Sequence, residues 1–89
     1  MRAVITVVGK DMVGILAKIS GMCADSNVNI IEVSQSILQD MFCMIMMADI
    51  DNCSKPFTEF SKSLNEEGKK AGLSVHVMHE DIFNSMHRI

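Results

Sequence analysis

The chain has 89 residues, with eight lysines and arginines against eleven aspartates and glutamates, a net charge of −3 and three cysteines. This length fits one small domain, and no apolar run approaches the roughly 18 residues of a membrane span. The acidic balance argues against nucleic acid as the main partner, because phosphate binding draws its affinity from clustered basic residues. An odd cysteine count without a C-x-x-C pair favours reduced thiols, and no targeting segment is visible, so we expect a cytoplasmic protein.

The first predicted elements are a strand and a helix joined by a turn with glycine at each side. Residues 2–8 are almost all apolar, which predicts a strand covered on both faces. Apolar residues then recur at helical spacing, and a turn-like cluster at residues 25–27 follows them. The predicted buried stripe of this helix consists of Ile15, Leu16, Ile19, Met22 and Cys23.

Two strands come next. Residues 28–38 alternate between apolar and polar side chains, which predicts an edge strand with Ile31, Val33 and Ile37 on one face. Residues 42–48 are apolar on both faces, and this pattern predicts a central strand. We interpret the methionines of that strand as adaptable packing rather than as a groove for a partner.

The last third of the chain predicts a helix, a strand and a short terminal helix. Pro56 suits the first turn of the second helix, and Gly72 is placed to end it. Residues 73–78 form the final predicted strand, and Asp81 is the expected N-cap of the terminal helix. The predicted buried side of the second helix consists of Phe57, Phe60, Leu64 and Ala71.

This order predicts an α+β, ferredoxin-like βαββαβ sandwich as a single domain over residues 1–89. Its four-stranded antiparallel sheet carries two helices on one face, and the short C-terminal helix is added to it. The first and third strands are the expected central ones. Val4 and Val8 would then face water on the uncovered side of the sheet, and an apolar patch of this kind predicts a homodimer or larger oligomer.

The turn between the first strand and first helix is the candidate binding element. The first turn of a helix has N–H groups without intrahelical partners and the positive end of the helix dipole, so it favours a carboxylate. Structural roles stay open for the same residues. Asp11 is a natural helix N-cap, Gly9 and Gly14 suit turn geometry or close packing, and Lys10 suits a solvated position.

The segment Val7-Val8-Gly9-Lys10-Asp11-Met12-Val13-Gly14-Ile15-Leu16, followed by Asn27-Val28-Asn29-Ile30, resembles an ACT domain over nearly the whole chain. Residues 82–89 resemble the end of stand-alone single-ACT-domain proteins of bacteria and archaea. The chain is also similar to the ACT modules of glycine-cleavage transcriptional repressors. The resemblance implies a regulatory module that binds an amino acid or similar small molecule between paired domains, with no catalysis, and that acts on a separate partner protein.

The resemblance also implies which residues bind the ligand. N–H groups of Val13, Gly14 and Ile15 would take its carboxylate, and Asp11 or Asn29 its ammonium group. No cofactor motif occurs, and no histidine or cysteine spacing matches a metal site. The full implied set is Gly9, Lys10, Asp11, Met12, Val13, Gly14 and Ile15 in the loop, opposed by Asn29 and Ile30.

The residues also bear on two other classes of function, an enzyme and an interaction module without a small ligand. An enzyme is disfavoured because the chain has neither a P-loop nor a recognisable nucleophile with its base. An interaction module without a small ligand stays open, in which the uncovered sheet face or the methionine-rich strand contacts a partner protein. Stabilisation by added amino acids distinguishes the two, because a specific ligand must stabilise the folded state by mass action.

Overall fold

A computed structural model describes residues 1–10 and 14–86. The four strands form one antiparallel sheet in the order β2-β3-β1-β4, so β1 and β3 are central and β2 and β4 lie at the edges. This is the predicted ferredoxin-like arrangement. None of the helices within the described ranges is long and apolar enough to cross a membrane. The elements are β1 (Arg2–Gly9), α1 (Ile15–Asp25), β2 (Asn29–Leu38), β3 (Met41–Asp49), α2 (Phe57–Lys70), β4 (Ser74–His79) and α3 (Glu80–Met86).

The hydrophobic core lies between one face of the sheet and the helices α1 and α2. Alternate residues of the central strands point to this side, so Ile5 pairs with Met46 and Val7 with Met44, all four fully buried. The prediction that the methionines of this strand serve as packing is confirmed for Met44 and Met46, whereas Met47 is half-buried on the opposite face. The helices complete the core with Ile15, Ile19, Cys23, Phe60 and Leu64.

Both long helices end in the same backbone motif. Asn27 (φ +59°) follows α1, and the Val28 N–H donates to the Cys23 carbonyl at 2.8 Å. Gly72 (φ +78°) follows α2, and the Leu73 N–H donates to the Gly68 carbonyl at 2.8 Å. These are Schellman turns, which satisfy the last helix carbonyls and reverse the chain towards the next strand. The predicted role of Gly72 is confirmed.

Ala71 was predicted to be buried, and this is wrong. It is the C-cap of α2, beyond the last turn that packs on the sheet, and it is exposed. Cys23, in contrast, has the packing role expected of it. Its side chain is fully buried, and this burial raises the pKa of the thiol to about 11, so it stays neutral and behaves as an apolar group.

The short helix α3 partly covers the sheet face opposite α1 and α2. It contacts β1 and β4, and Val4 on that face is only 1% exposed. The expectation that Val4 faces water is therefore wrong. An ion pair of 2.7 Å between Arg2 Nη2 and Glu80 Oε2 joins β1 to the start of α3. Because α3 begins at Glu80, Asp81 lies in its first turn and is not the N-cap.

The other half of this face stays accessible. Its residues lie on β2 and β3, where alternate side chains point away from the core. Ile45 and Leu38 are exposed, while Met47 and Cys43 are half-buried. The predicted apolar patch is thus present, and it is smaller than expected and shifted to one side of the sheet.

Candidate ligand site

Gly14 forms the start of α1 and has a left-handed backbone, with φ +74° and ψ 2°. The Lys18 N–H donates to the Gly14 carbonyl at 2.9 Å, so the N–H groups of Ile15, Leu16 and Ala17 have no partner within the helix. A Cβ added to Gly14 would meet nothing within 4 Å. Glycine is therefore required here by backbone conformation and not by packing, and the helix start opens to solvent.

Gly9, at the end of β1, has a different role. It is buried, and a Cβ built on it would overlap Leu73 Cδ2 in the segment after α2. Close packing against Leu73 therefore explains why glycine is found at position 9. Lys10 is exposed, whereas Asp11, Met12 and Val13 lie outside the described residues. The proposed ligand contacts of these three residues, and the capping role of Asp11, stay predictions.

The close approach at Gly9 leads to a stability prediction. We expect Gly9→Ala to lower the free energy of unfolding by about 1 to 3 kcal/mol, because the added methyl forces Leu73 to move within a packed region. Gly21→Ala is the matched control, because Gly21 lies within α1 with open space around it. Alanine at this position should raise the free energy of unfolding by about 0.5 to 1 kcal/mol. Urea denaturation measures both, and equal stabilities of the two variants would contradict this role of Gly9.

A groove of about 400 Å³ lies beside the first turn of α1, between that helix and the far end of β2 and β3. Ile37 pairs with Phe42, which points to the helix side of the sheet, so Ile37 faces the same side beyond the reach of α1. Leu16 was predicted to be buried and is 40% exposed, because it borders this groove. The described lining residues are Leu16, Gln35, Ser36, Ile37 and Phe42.

Asn29 and Ile30 lie at the other end of the sheet. Asn29 is level with Asp49 and Arg2, whereas Gly9 is level with Phe42, seven residues further along β1. The two ends are about 23 Å apart, at roughly 3.3 Å per residue. Within one chain, the predicted site residues therefore form two separate groups.

The asparagine end has a cavity of its own, of about 320 Å³, next to the C-terminus of α1. The Asn27 Nδ2 group donates to the Asn52 carbonyl at 2.9 Å and holds the loop after β3 against the loop after α1. Ile30 packs partly against the core instead of lining this cavity. The described lining residues are Ala24, Asn27, Val28, Asn29 and Asn52.

Lys18, the lysine of α1, points away from the groove. Lys18 Nζ on α1 lies 3.9 Å from Glu67 Oε2 on α2, so this ammonium is directed along the helix layer. Neither Gln35 nor Ser36 carries a charge. Among the described residues, no group of three or more histidine, cysteine, aspartate or glutamate side chains could hold a metal ion.

Several lining residues were not foreseen from the sequence. Gln35, Ser36 and Ile37 belong to the regular alternation of an edge strand, and nothing in that alternation shows where α1 stops covering β2. Asn52 lies in the loop after the central strand β3, and no pattern in the sequence marks it as a lining residue. Asn27 has a positive φ, which asparagine tolerates better than most residues. The asparagine at this position is therefore a local signal of the turn beside the cavity.

The sheet order and the packing of the helices define a ferredoxin-like α+β domain, in which helix α1 begins at the exposed Gly14. The sequence profile of the ACT domain matches residues 2–78, and the chain belongs to this family of small-molecule-binding regulatory domains. A UPF0237 protein of Clostridium perfringens is 51% identical over 89 residues, the full length of both chains. The resemblance seen in the sequence is confirmed.

Solved structures agree with this assignment. An ACT domain protein from Streptococcus pneumoniae is 34% identical, with a TM-score of 0.82 over 93% of each chain. A candidate glycine cleavage system transcriptional repressor is 23% identical with a TM-score of 0.70, over 85% of this chain and 43% of that one. The second likeness concerns the fold alone.

Proposed function

We propose that this protein is a cytoplasmic regulatory module that binds an amino acid at a site shared by two copies of the chain and transmits the signal to a separate protein. The separation of the two half-sites supports the shared site. An amino acid is far shorter than the roughly 23 Å that separates the Gly9 end of β1 from the sheet end that holds Asn29, as seven residues of β1 measure it. A ligand that contacts both must take them from different copies.

The edge strand β2 offers the means of pairing. It is ten residues long, and residues 31–38 are all exposed. A long uncovered edge presents unpaired backbone groups to another strand. Antiparallel pairing of two β2 strands around a two-fold axis would bring the groove of one copy, at Ile37, towards the asparagine cavity of the other, at Asn29.

The chemistry of the two halves is complementary to an amino acid. The N–H groups of Ile15, Leu16 and Ala17 suit a carboxylate, which the positive end of the α1 dipole also favours. The Asn29 side-chain carbonyl can accept a hydrogen bond from an ammonium group. No catalytic step is part of this proposal, and neither a cofactor nor a nucleic acid is needed.

A thermal-shift screen of the twenty amino acids, on protein of known oligomeric mass, tests this function. A ligand at 100 times its Kd adds about 2.7 kcal/mol to the unfolding free energy, a clear rise in Tm. We expect the rise in the wild type and its loss in Gly14→Ala. Gly72→Ala is the matched control, because Gly72 also has positive φ and open space, so both alanines carry a similar strain of about 1 to 2 kcal/mol.

The alternative function is an interaction module without a small ligand. It is favoured by one observation: Ile45 and Leu38 are exposed on the side of the sheet that α3 leaves uncovered. In that case the wild type would form a stable oligomer and no amino acid would raise its Tm. Equal ligand shifts in Gly14→Ala and Gly72→Ala would place the binding site elsewhere.

A further inference from the structure

The groove beside α1 allows the class of amino acid to be named, an inference that rests on the proposed function. We propose that the ligand has an uncharged aliphatic side chain, such as that of leucine, isoleucine, valine or methionine, and that the groove of Leu16, Ile37 and Phe42 receives it. In this arrangement the α-carboxylate is bound at the start of α1, and the α-ammonium group is bound at the asparagine cavity of the second copy.

The shape and lining of the groove are the first argument. Phe42, at 5% exposure, closes its inner end, while Leu16 (40%) and Ile37 (60%) stand at its sides with much of their apolar surface in water. Its volume of about 400 Å³ lies in the range of small-molecule sites. Each methylene of a ligand buried there should raise the affinity about fourfold. Glycine, alanine and serine gain little affinity in this way.

The charges around the groove are the second argument. A charged ligand side chain loses hydration on entry and needs an opposite charge to compensate. The described lining offers only the neutral polar groups of Gln35 and Ser36. The nearest lysine on α1, Lys18, lies beside Glu67 of α2, and Lys10 is exposed outside the lining. Among the described residues of the groove, none therefore offers the opposite charge that an acidic or basic ligand side chain would need.

Adjacent residues of β2 give a matched pair of variants. Ile37 and Leu38 are 60% and 64% exposed, and they point to opposite faces of the sheet, since Ile37 pairs with Phe42 and Leu38 with Met41. Ile37→Lys places a charge in the groove, whereas Leu38→Lys places the same charge outside it. Neither change touches a buried side chain, and both residues lie at the C-terminal end of β2.

The experiment is isothermal titration of wild type, Ile37→Lys and Leu38→Lys with L-leucine, L-isoleucine, L-valine, L-methionine, L-aspartate, L-lysine and L-serine. We expect at least one of the four aliphatic amino acids to bind the wild type at least tenfold more tightly than L-aspartate, L-lysine or L-serine. Ile37→Lys should weaken that binding at least tenfold and improve binding of L-aspartate, while Leu38→Lys stays within twofold of the wild type.

The other outcomes separate the two proposals. Preferred binding of L-aspartate, L-lysine or L-serine, or equal effects of the two lysine variants, would overturn the aliphatic class and leave the amino-acid function standing. Binding of none of the twenty amino acids in the thermal-shift screen would overturn the proposed function itself.

Discussion

A mixture of Gly14→Ala and Asn29→Ala protein is expected to regain about a quarter of the wild-type ligand sites, although each variant alone binds at least tenfold more weakly. In the proposed assembly each two-fold dimer would have two sites, and each site would take Gly14 from one copy and Asn29 from the other. After random exchange half of the dimers are mixed. One site in each mixed dimer joins an intact Gly14 to an intact Asn29.

The control carries both substitutions on one chain and is mixed with wild-type protein. Before exchange this sample holds half of the wild-type sites. Exchange should lower that fraction to a quarter, because both sites of every mixed dimer are then damaged. Titration calorimetry on samples exchanged at low concentration measures the site number. A site formed within one chain predicts no recovery in the first mixture and no loss in the second.

Phe60→Ala is expected to have the largest effect on stability. Phe60 is 1% exposed and packs from α2 into the core, and removal of a buried phenylalanine costs about 3 to 5 kcal/mol. A small domain has a total stability of only about 5 to 15 kcal/mol. The variant should therefore melt at least about 12 °C below the wild type, at roughly 4 to 8 °C per kcal/mol.

Phe57→Ala is the matched comparison, with the same atoms removed one helical turn earlier. Phe57 is half-buried and stacks on His79 with 4.1 Å between ring centroids. We expect it to lose less than half as much stability as Phe60→Ala, measured by urea denaturation at constant ligand and protein concentration. Equal losses of stability in the two variants would mean that the contacts of Phe57, in the first turn of α2, stabilise the fold as much as those of Phe60.

The sequence predicted the fold because its strands have different burial patterns. Residues apolar on both faces occur in the two strands that are central in the sheet, and the alternating residues occur in an edge strand. The helix ends also followed local chemistry, as Gly72 shows. Coverage of the second sheet face could not be predicted from local chemistry, because the contact of α3 with β1 depends on the direction in which the chain leaves β4.

The candidate site was only partly predictable. Gly14 was identified from its place before a helix, and its positive φ agrees with that reading. The distance between Gly14 and Asn29 could not be read from the sequence, because it depends on strand register. A single extra residue between Ile30 and Glu32 further shifts the pairing of β2 with β3.

The position of Asn29, a full strand length from Gly9 at the other end of the sheet, has a physiological consequence if Asn29 and Gly14 act on one ligand. Assembly and ligand binding then become linked equilibria, and each must strengthen the other by the same factor. The response would depend on how much of this protein a cell makes, as well as on how much metabolite it contains. At low expression the chain would be insensitive to its own effector, so gene dosage would set the threshold of the sensor.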